Sequence, residues 1–281
     1  MVRIGAAPHL TARESGRRRN VLVVIFQRGG ADGLNMVVPF GDPNYYRLRP
    51  GIAVPRAAAI DLDGFFGLHP SLAPLKPIYA AGELAIVQAA GSPVPIRSHL
   101  DAQDWLTRVL PQPRIGFSAR CAVSPASTNS VQYPRGKFGT SLMQIAQLIK
   151  ADAGVEVAWA DSGGWDHHFN EADQLAGVLS EFGSALAAFR QDLGGRMESV
   201  TVVTMSEFGR TARENDHRGT DHGHGNVMFV MGGGVRGGKV YGRWPGLGAN
   251  DLHAGSDLAV TTDSRDVLAE LVSQRKFLGL V

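Results

Sequence analysis

Residues 21–33 read Val21-Leu22-Val23-Val24-Ile25-Phe26-Gln27-Arg28-Gly29-Gly30-Ala31-Asp32-Gly33. From Val21 to Phe26 every side chain is aliphatic or aromatic, with no polar position to face water. That is the pattern of a strand buried on both faces, as in a parallel sheet. The run breaks at Gly29-Gly30-Ala31-Asp32-Gly33. Glycine-rich turns after such strands are common ligand sites in α/β folds. This turn lacks the spacing of a dinucleotide fingerprint and no P-loop lysine follows it, so it gives a nucleotide little support. Asp32, its one acid, is either a simple turn residue or a ligand.

Working outward, the same sequence of apolar run and polar cluster recurs. Glu83–Ala90, Val155–Ala160, Val200–Met205 and Val227–Met231 read as further strands. Helical periods appear over His69–Ala81, with Ser71 as the cap, and over Ser141–Ala151 and Asp263–Phe277. A longer helix is predicted over Glu171–Leu193, with Leu175, Val178, Phe182, Leu186 and Phe189 on its apolar stripe. Another starts near Ser98 or Asp101, either of which suits an N-cap. Pro39–Gly67 reads as a long loop with short extended pieces, and Pro111–Lys137 as irregular chain. Strands alternating with helices predict an α/β fold: a three-layer α/β/α sandwich around a mostly parallel central sheet.

Composition bounds the function. The 281 residues suit one large domain or two small ones, and 44% hydrophobic with 19% charged residues is globular. A net charge of +2 gives no reason to expect nucleic acid or a membrane surface as partner. No apolar run is long enough to span a bilayer. The single cysteine, Cys121, excludes a disulfide framework and a cysteine-based zinc site. Residues 1–20 carry Arg3, Arg13, Arg17, Arg18 and Arg19 without the apolar segment of a signal peptide, and are expected to form a disordered basic arm. Residues 21–281 are then expected to form a single domain.

The polar clusters carry the chemistry. Three of the nine histidines fall within Asp216-His217-Arg218-Gly219-Thr220-Asp221-His222-Gly223-His224-Gly225-Asn226. Other clusters follow strands: Asp32; Arg97, Ser98, His99 and Asp101; Asp166, His167 and His168; Glu207 and Arg210. Ligands in such sheets bind beyond the carboxyl ends of the strands. The His222/His224 loop instead precedes a strand, so it should need a longer path to the same place. Carboxylates and imidazoles without a thiolate suit zinc, manganese or iron, whereas magnesium and calcium prefer oxygen alone. Ser98 at a helix start could be a metal-activated nucleophile, with Arg97 and Arg210 holding the oxygens of a small anionic ester.

The stretches QRGGADGLNMVVPFGDPNYYRLRP, RSHLDAQDW, GGWDHH, MSEFGRTARENDHRGTDHGHGN and GGGVRGGKVYGRWPGL resemble the bacterial family called domain of unknown function 1501. Its members often carry a twin-arginine export signal, and they are grouped with the alkaline phosphatase and sulfatase superfamily. The resemblance implies an alkaline-phosphatase-like fold and an exported, periplasmic protein; without it a cytoplasmic one would be expected. It also implies one or two divalent ions, zinc first, with manganese, iron or magnesium as alternatives. One ion would take Asp32 and Glu207, and the other Asp166 with His168, and a later His222 or His224. Two departures stand out. The superfamily's Asp-His pair appears as Glu207-Phe208, and the sulfatase Cys or Ser motif is absent. The chain is also short through about 111–138, where the resemblance implies a longer insert. The expected function is metal-dependent hydrolysis of phosphate esters, or less readily sulfate esters. The alternative is a catalytically degenerate binding or scaffold protein of the same fold.

Overall fold

Two strands open the chain: β1 (Arg3–Ala6) on a sheet edge, and β2 (Val21–Gln27), the predicted apolar run, near the sheet's middle. The computed structural model describes residues 3–6, 20–94, 97–99 and 131–274. Short elements α1 (Gly33–Met36), β3 (Val37–Val38), α2 (Pro43–Leu48), β4 (Ile60–Asp61), β5 (Gly67–Leu68) and α3 (Lys76–Ala80) lead to β6 (Leu84–Gly91). Then come α4 (Lys137–Lys150), β7 (Val155–Ser162), α5 (Glu171–Leu193), β8 (Val200–Ser206) and β9 (Asn226–Gly232). Strands β10 (Lys239–Tyr241) and β11 (Thr262–Asp263) precede α6 (Ser264–Gln274). The predicted cap at Asp101, the irregular stretch beyond it to 130 and Cys121 lie outside the described residues.

The main sheet runs β1-β7-β2-β8-β9-β6-β10, with β11 also on β6. Strands β7, β2 and β8 are mutually parallel, and β10 and β11 are parallel to β6. β9 is antiparallel to both its neighbours, so β6 points the same way as β8. The sheet is therefore mostly parallel, as expected, with β9 and the edge strand β1 reversed. Within the segment expected to be a disordered arm, Arg3–Ala6 pair antiparallel with β7.

Alternation along the strands builds a core on each face. Val23 and Ile25 of β2 join one cluster with Leu142 and Ile145 of α4 and Phe182 and Phe189 of α5. Val24 and Phe26 join the other with Val267, Leu268 and Leu271 of α6. This is the three-layer α/β/α arrangement. The stripe predicted for α5 packs on the sheet, with Leu175, Phe182, Leu186 and Phe189 buried and Val178 half-buried. Phe182 is fully buried and stacks on Phe138 at 5.7 Å between ring centres.

Two local readings are corrected. Residues 43–48, read as loop, are helical because Asp42 caps Asn44 N at 2.9 Å and Pro43 is preset for a first turn. Over Pro70–Leu75 the cap is His69, whose Nδ1 accepts from Ser71 N at 3.1 Å; Ser71 itself is not the cap.

Strand register sets where the connecting loops emerge. Gln27 lies opposite both Ser162 and Ser206, so the loops after β2, β7 and β8 leave side by side. No helical crossover separates β8 from β9. The chain loops through 207–225 and turns straight back into the reversed strand. The start of β9 thus lies at the carboxyl edge of the parallel strands, with Asn226 opposite Ala90. The longer path expected for the His222/His224 loop is not needed.

Beneath this edge lies a sealed polar network. Asp32, 1% exposed and read from the sequence as a metal ligand, gives both carboxylate oxygens to the buried Arg49, one of them at 2.9 Å. Arg49 also reaches the carbonyls of Thr211 and Ala212, each at 2.9 Å. Asp32 therefore ties the β2 turn to two other loops instead of presenting lone pairs to an ion. Burial alone would raise its pKa, but the Arg49 charge, hydrogen bonding to the carboxylate and the Arg210 charge together outweigh it and hold the carboxyl below its ordinary 3.8. Glu171 beside it goes the other way. Burial first, and then the Asp32 charge, push it well above its ordinary 4.5, while Thr220 Oγ1 donates to its Oε2 at 2.6 Å. Burial and the neighbouring Asp32 charge thus both favour the neutral form of Glu171.

Phe182→Ala should cost about 3–5 kcal/mol in urea unfolding, and a loss under about 1 kcal/mol would show that it is not a core position. For the acid pair the signs differ. The Asp32 contribution is present above 3.8 and lost as pH falls through its lower folded value. The Glu171 contribution is full below 4.5 and declines as pH rises toward its raised folded value. Glu171→Gln removes the titration in nearly the same shape, so it should flatten the decline of melting temperature as pH rises above 4.5; an unchanged slope would mean Glu171 is ionised in the fold.

Candidate metal centre

Asp166 stands at the centre of the carboxyl edge, on the loop after β7, with its side chain 49% exposed. Its Oδ1 receives Arg210 Nη2 at 2.5 Å and faces His168 Nε2 at 3.0 Å and His222 Nε2 at 3.3 Å. Its Oδ2 faces His99 Nε2 at 3.9 Å. Partial burial opposes ionisation, but the Arg210 hydrogen bond and charge, with His168 adding to them, hold the Asp166 carboxyl below its ordinary range. His99, Asp166 and His222 each bring a donor atom within 4.8 Å of the others, close enough to share one ion.

The outer nitrogens of the three imidazoles are also engaged. His168 Nδ1 lies 3.0 Å from Asp221 Oδ1. His222 Nδ1 lies 2.9 Å from the Arg97 carbonyl. His99 Nδ1 lies 3.4 Å from Glu207 Oε1. Carbonyl and carboxylate oxygens only accept, so a neutral ring that donates from Nδ1 turns the Nε2 lone pair toward Asp166. His168 Nε2 and His222 Nε2 stand 3.2 Å apart. Lone pairs this close repel unless a cation or proton lies between them. Imidazoles with an outer N–H on a carbonyl or carboxylate are the usual form of metal-ligating histidine. Three imidazoles and a carboxylate suit zinc, and also iron or manganese.

Phe208, which stands where the resemblance implies a histidine, supports the rings. It lies 4.9 Å from His99 and 4.6 Å from His222 between ring centres. The segment carrying His99 is tethered by Arg97, whose guanidinium pairs with the fully buried Asp257 at 2.5 Å. Ser98, between them, is exposed.

Several sequence-predicted residues sit elsewhere or act differently. Glu207 is buried and accepts from Gly29 N at 3.0 Å and from Gly30 N at 3.0 Å. The two glycines aim their amides at it with φ of +122° and +73°. A Cβ at Gly29 would lie 2.6 Å from Asp166 N, so no larger residue fits. His224 is buried and stacks on His253 at 4.4 Å, apart from the Asp166 group. Burial, and then the neighbouring His253, lower its pKa. Arg210, expected to hold substrate oxygens, is fully buried and donates to the carbonyls of Gly30 at 2.6 Å, Thr220 at 3.0 Å, Trp165 at 3.1 Å and Gly29. It faces the protein instead of a ligand. Arg97 is likewise committed to Asp257. Sequence reasoning placed His99 in a cluster but not among the ligands, and it passed over Asp221. The Ser-His pair and the acid next to His222 were the available signals.

No curated protein matches the chain. Among solved structures, the C-terminal periplasmic domain of EcEptC from Escherichia coli, in complex with Zn, is similar with a TM-score of 0.38 and 10% identity. The alignment covers 78% of this chain and 74% of that one, and a likeness this slight carries no argument about chemistry. No helix among the described residues is long and apolar enough to cross a membrane. The family profile described as protein of unknown function, DUF1501, matches residues 121–277, more than half of the chain and including the loops that carry Asp166, His168, Glu207 and His222. The protein therefore belongs to the DUF1501 family.

Proposed function

We propose that the protein is a metal-dependent hydrolase of phosphate esters, with sulfate esters less favoured, on an alkaline-phosphatase-like sheet. The observation that carries this reading is the convergence of His99, His168 and His222 on Asp166, each with its outer nitrogen on an acceptor. These four side chains would hold one divalent ion, zinc before manganese or iron. When bound, such an ion supplies Lewis-acid polarisation of a phosphoryl oxygen and makes a hydroxyl or water acidic.

The chain's own residues prepare that chemistry. Arg210 keeps Asp166 ionised and fixes its direction. Asp221 and the Arg97 carbonyl fix the tautomers of His168 and His222. Ser98, exposed and next to His99, supplies a hydroxyl in reach of an incoming ester. The ring of Phe208 packs against the rings of His99 and His222 and holds them in place.

A second reading, a metal-binding scaffold, is favoured by one observation. The two arginines expected to hold substrate oxygens are engaged, Arg210 with backbone carbonyls and Arg97 with Asp257.

Elemental analysis of purified protein, with an aryl phosphate, a phosphodiester and an aryl sulfate as substrates, tests both. The wild type should retain metal and hydrolyse the phosphate ester. Asp166→Ala should lose the metal, and its rate should fall by roughly 100-fold or more, since even an outer partner of a metal ligand is worth 10–100-fold. Undiminished metal in that variant would remove Asp166 from the site. Bound metal with flat rates across all three esters would favour the scaffold.

A further inference from the structure

We infer that Glu207 is a positioning residue, which orients His99 for the metal through the ring's Nδ1–H and is not itself a ligand. This deepens the proposed metal site and rests on it. Glu207 Oε1 lies 3.4 Å from His99 Nδ1, and the opposite nitrogen, Nε2, looks toward Asp166 Oδ2 at 3.9 Å. An imidazole bridging two carboxylates in this way has one role for each nitrogen. Both carboxylates only accept, so a neutral ring donates to one of them; Glu207 is the nearer, at 3.4 Å against 3.9 Å, and takes Nδ1–H, which leaves the Nε2 lone pair toward Asp166.

Glu207 has the rigidity the role requires. Its side chain is 1% exposed. Oε2 accepts from Gly29 N at 3.0 Å, from Gly30 N at 3.0 Å and from Ser206 Oγ at 3.3 Å. Oε1 accepts from Gly29 N at 3.1 Å and faces His99 Nδ1 at 3.4 Å. Charge-assisted bonds from two backbone amides fix a carboxylate more firmly than a flexible side chain could. The arrangement repeats at the same centre, with Asp221 behind His168 and the Arg97 carbonyl behind His222. Glu207 completes the set. The glycine turn after β2 is then a clamp for this carboxylate and not a cradle for a ligand's phosphate.

A double-mutant cycle tests it, with zinc affinity read by competition against a chromophoric chelator. Glu207→Gln should weaken zinc binding by about 10–100-fold in the wild-type background. In a His99→Ala background it should weaken binding by no more than about 2-fold, because the residue it acts through is gone. An equal loss in both backgrounds, or no loss in the first, would overturn the inference. Should Glu207→Gln fail to fold, the ¹⁵N shifts of His99 in the wild-type protein decide. A protonated Nδ1 is expected, and a protonated Nε2 with bare Nδ1 would sink the idea. If the wild type takes up no zinc at all, the metal reading falls and this one with it. Zinc uptake without the coupling removes only the role of Glu207.

Discussion

The guanidinium of Arg210 has no exposed side-chain surface and makes hydrogen bonds to four backbone carbonyls and one carboxylate. Those partners come from three different loops: Gly29 and Gly30 after β2, Trp165 and Asp166 after β7, and Thr220 before β9. Arg210 itself follows β8. A buried cation is tolerable only when its donors are satisfied, and a loop carbonyl that loses contact with water needs a donor. Each requirement meets the other here. The loops are irregular in backbone yet cannot separate without stranding a charge, so the side chains they carry are held in fixed relation.

The same logic runs through the rest of the carboxyl edge. Arg49 joins Asp32 to the carbonyls of Thr211 and Ala212, and Glu207 gathers the amides of Gly29 and Gly30. Acids that look like ligands in the sequence thus hold the loops together. Among the described residues, only Asp166 combines a carboxyl held below its ordinary pKa with substantial exposure and a ring of imidazoles. For the proposed ion, side chains fixed beforehand would lower the ordering cost of binding and sharpen selection among metals. It also explains why one end of the molecule concentrates buried charge while the opposite faces of the sheet are packed with aliphatic and aromatic side chains.

Legibility in the sequence tracked the range of the interactions. Strands β2, β6, β7, β8 and β9 and helix α5 were readable because their periodicity is local and their cores are apolar on both faces. Asp166, His168 and His222, which the structure brings together, each stand in a dense polar cluster of the sequence. Asp32 and Arg210 were misassigned for one reason. A carboxylate bound to an arginine and one bound to a metal leave the same letter in the sequence, and the partner that distinguishes them is far away along the chain. Arg49 lies 17 residues from Asp32, and Asp166 lies 44 from Arg210. The α2 helix was overlooked although Asp42-Pro43 is a start signal, because proline-rich surroundings outweighed it.

By itself the sequence determined the layers. Runs of β-branched residues with no polar side must be buried on both faces, and amphipathic stripes must cover them. It also determined which residue types could meet an ion. Only the tertiary structure decided which of them come together. Reversal of β9 brings the His222 loop to the carboxyl edge, the register of Gln27 with Ser162 and Ser206 sets the loops abreast, and buried arginines choose the acids they neutralise. Strand direction and ion pairing are settled by contacts between distant segments, and no local pattern of residues encodes them.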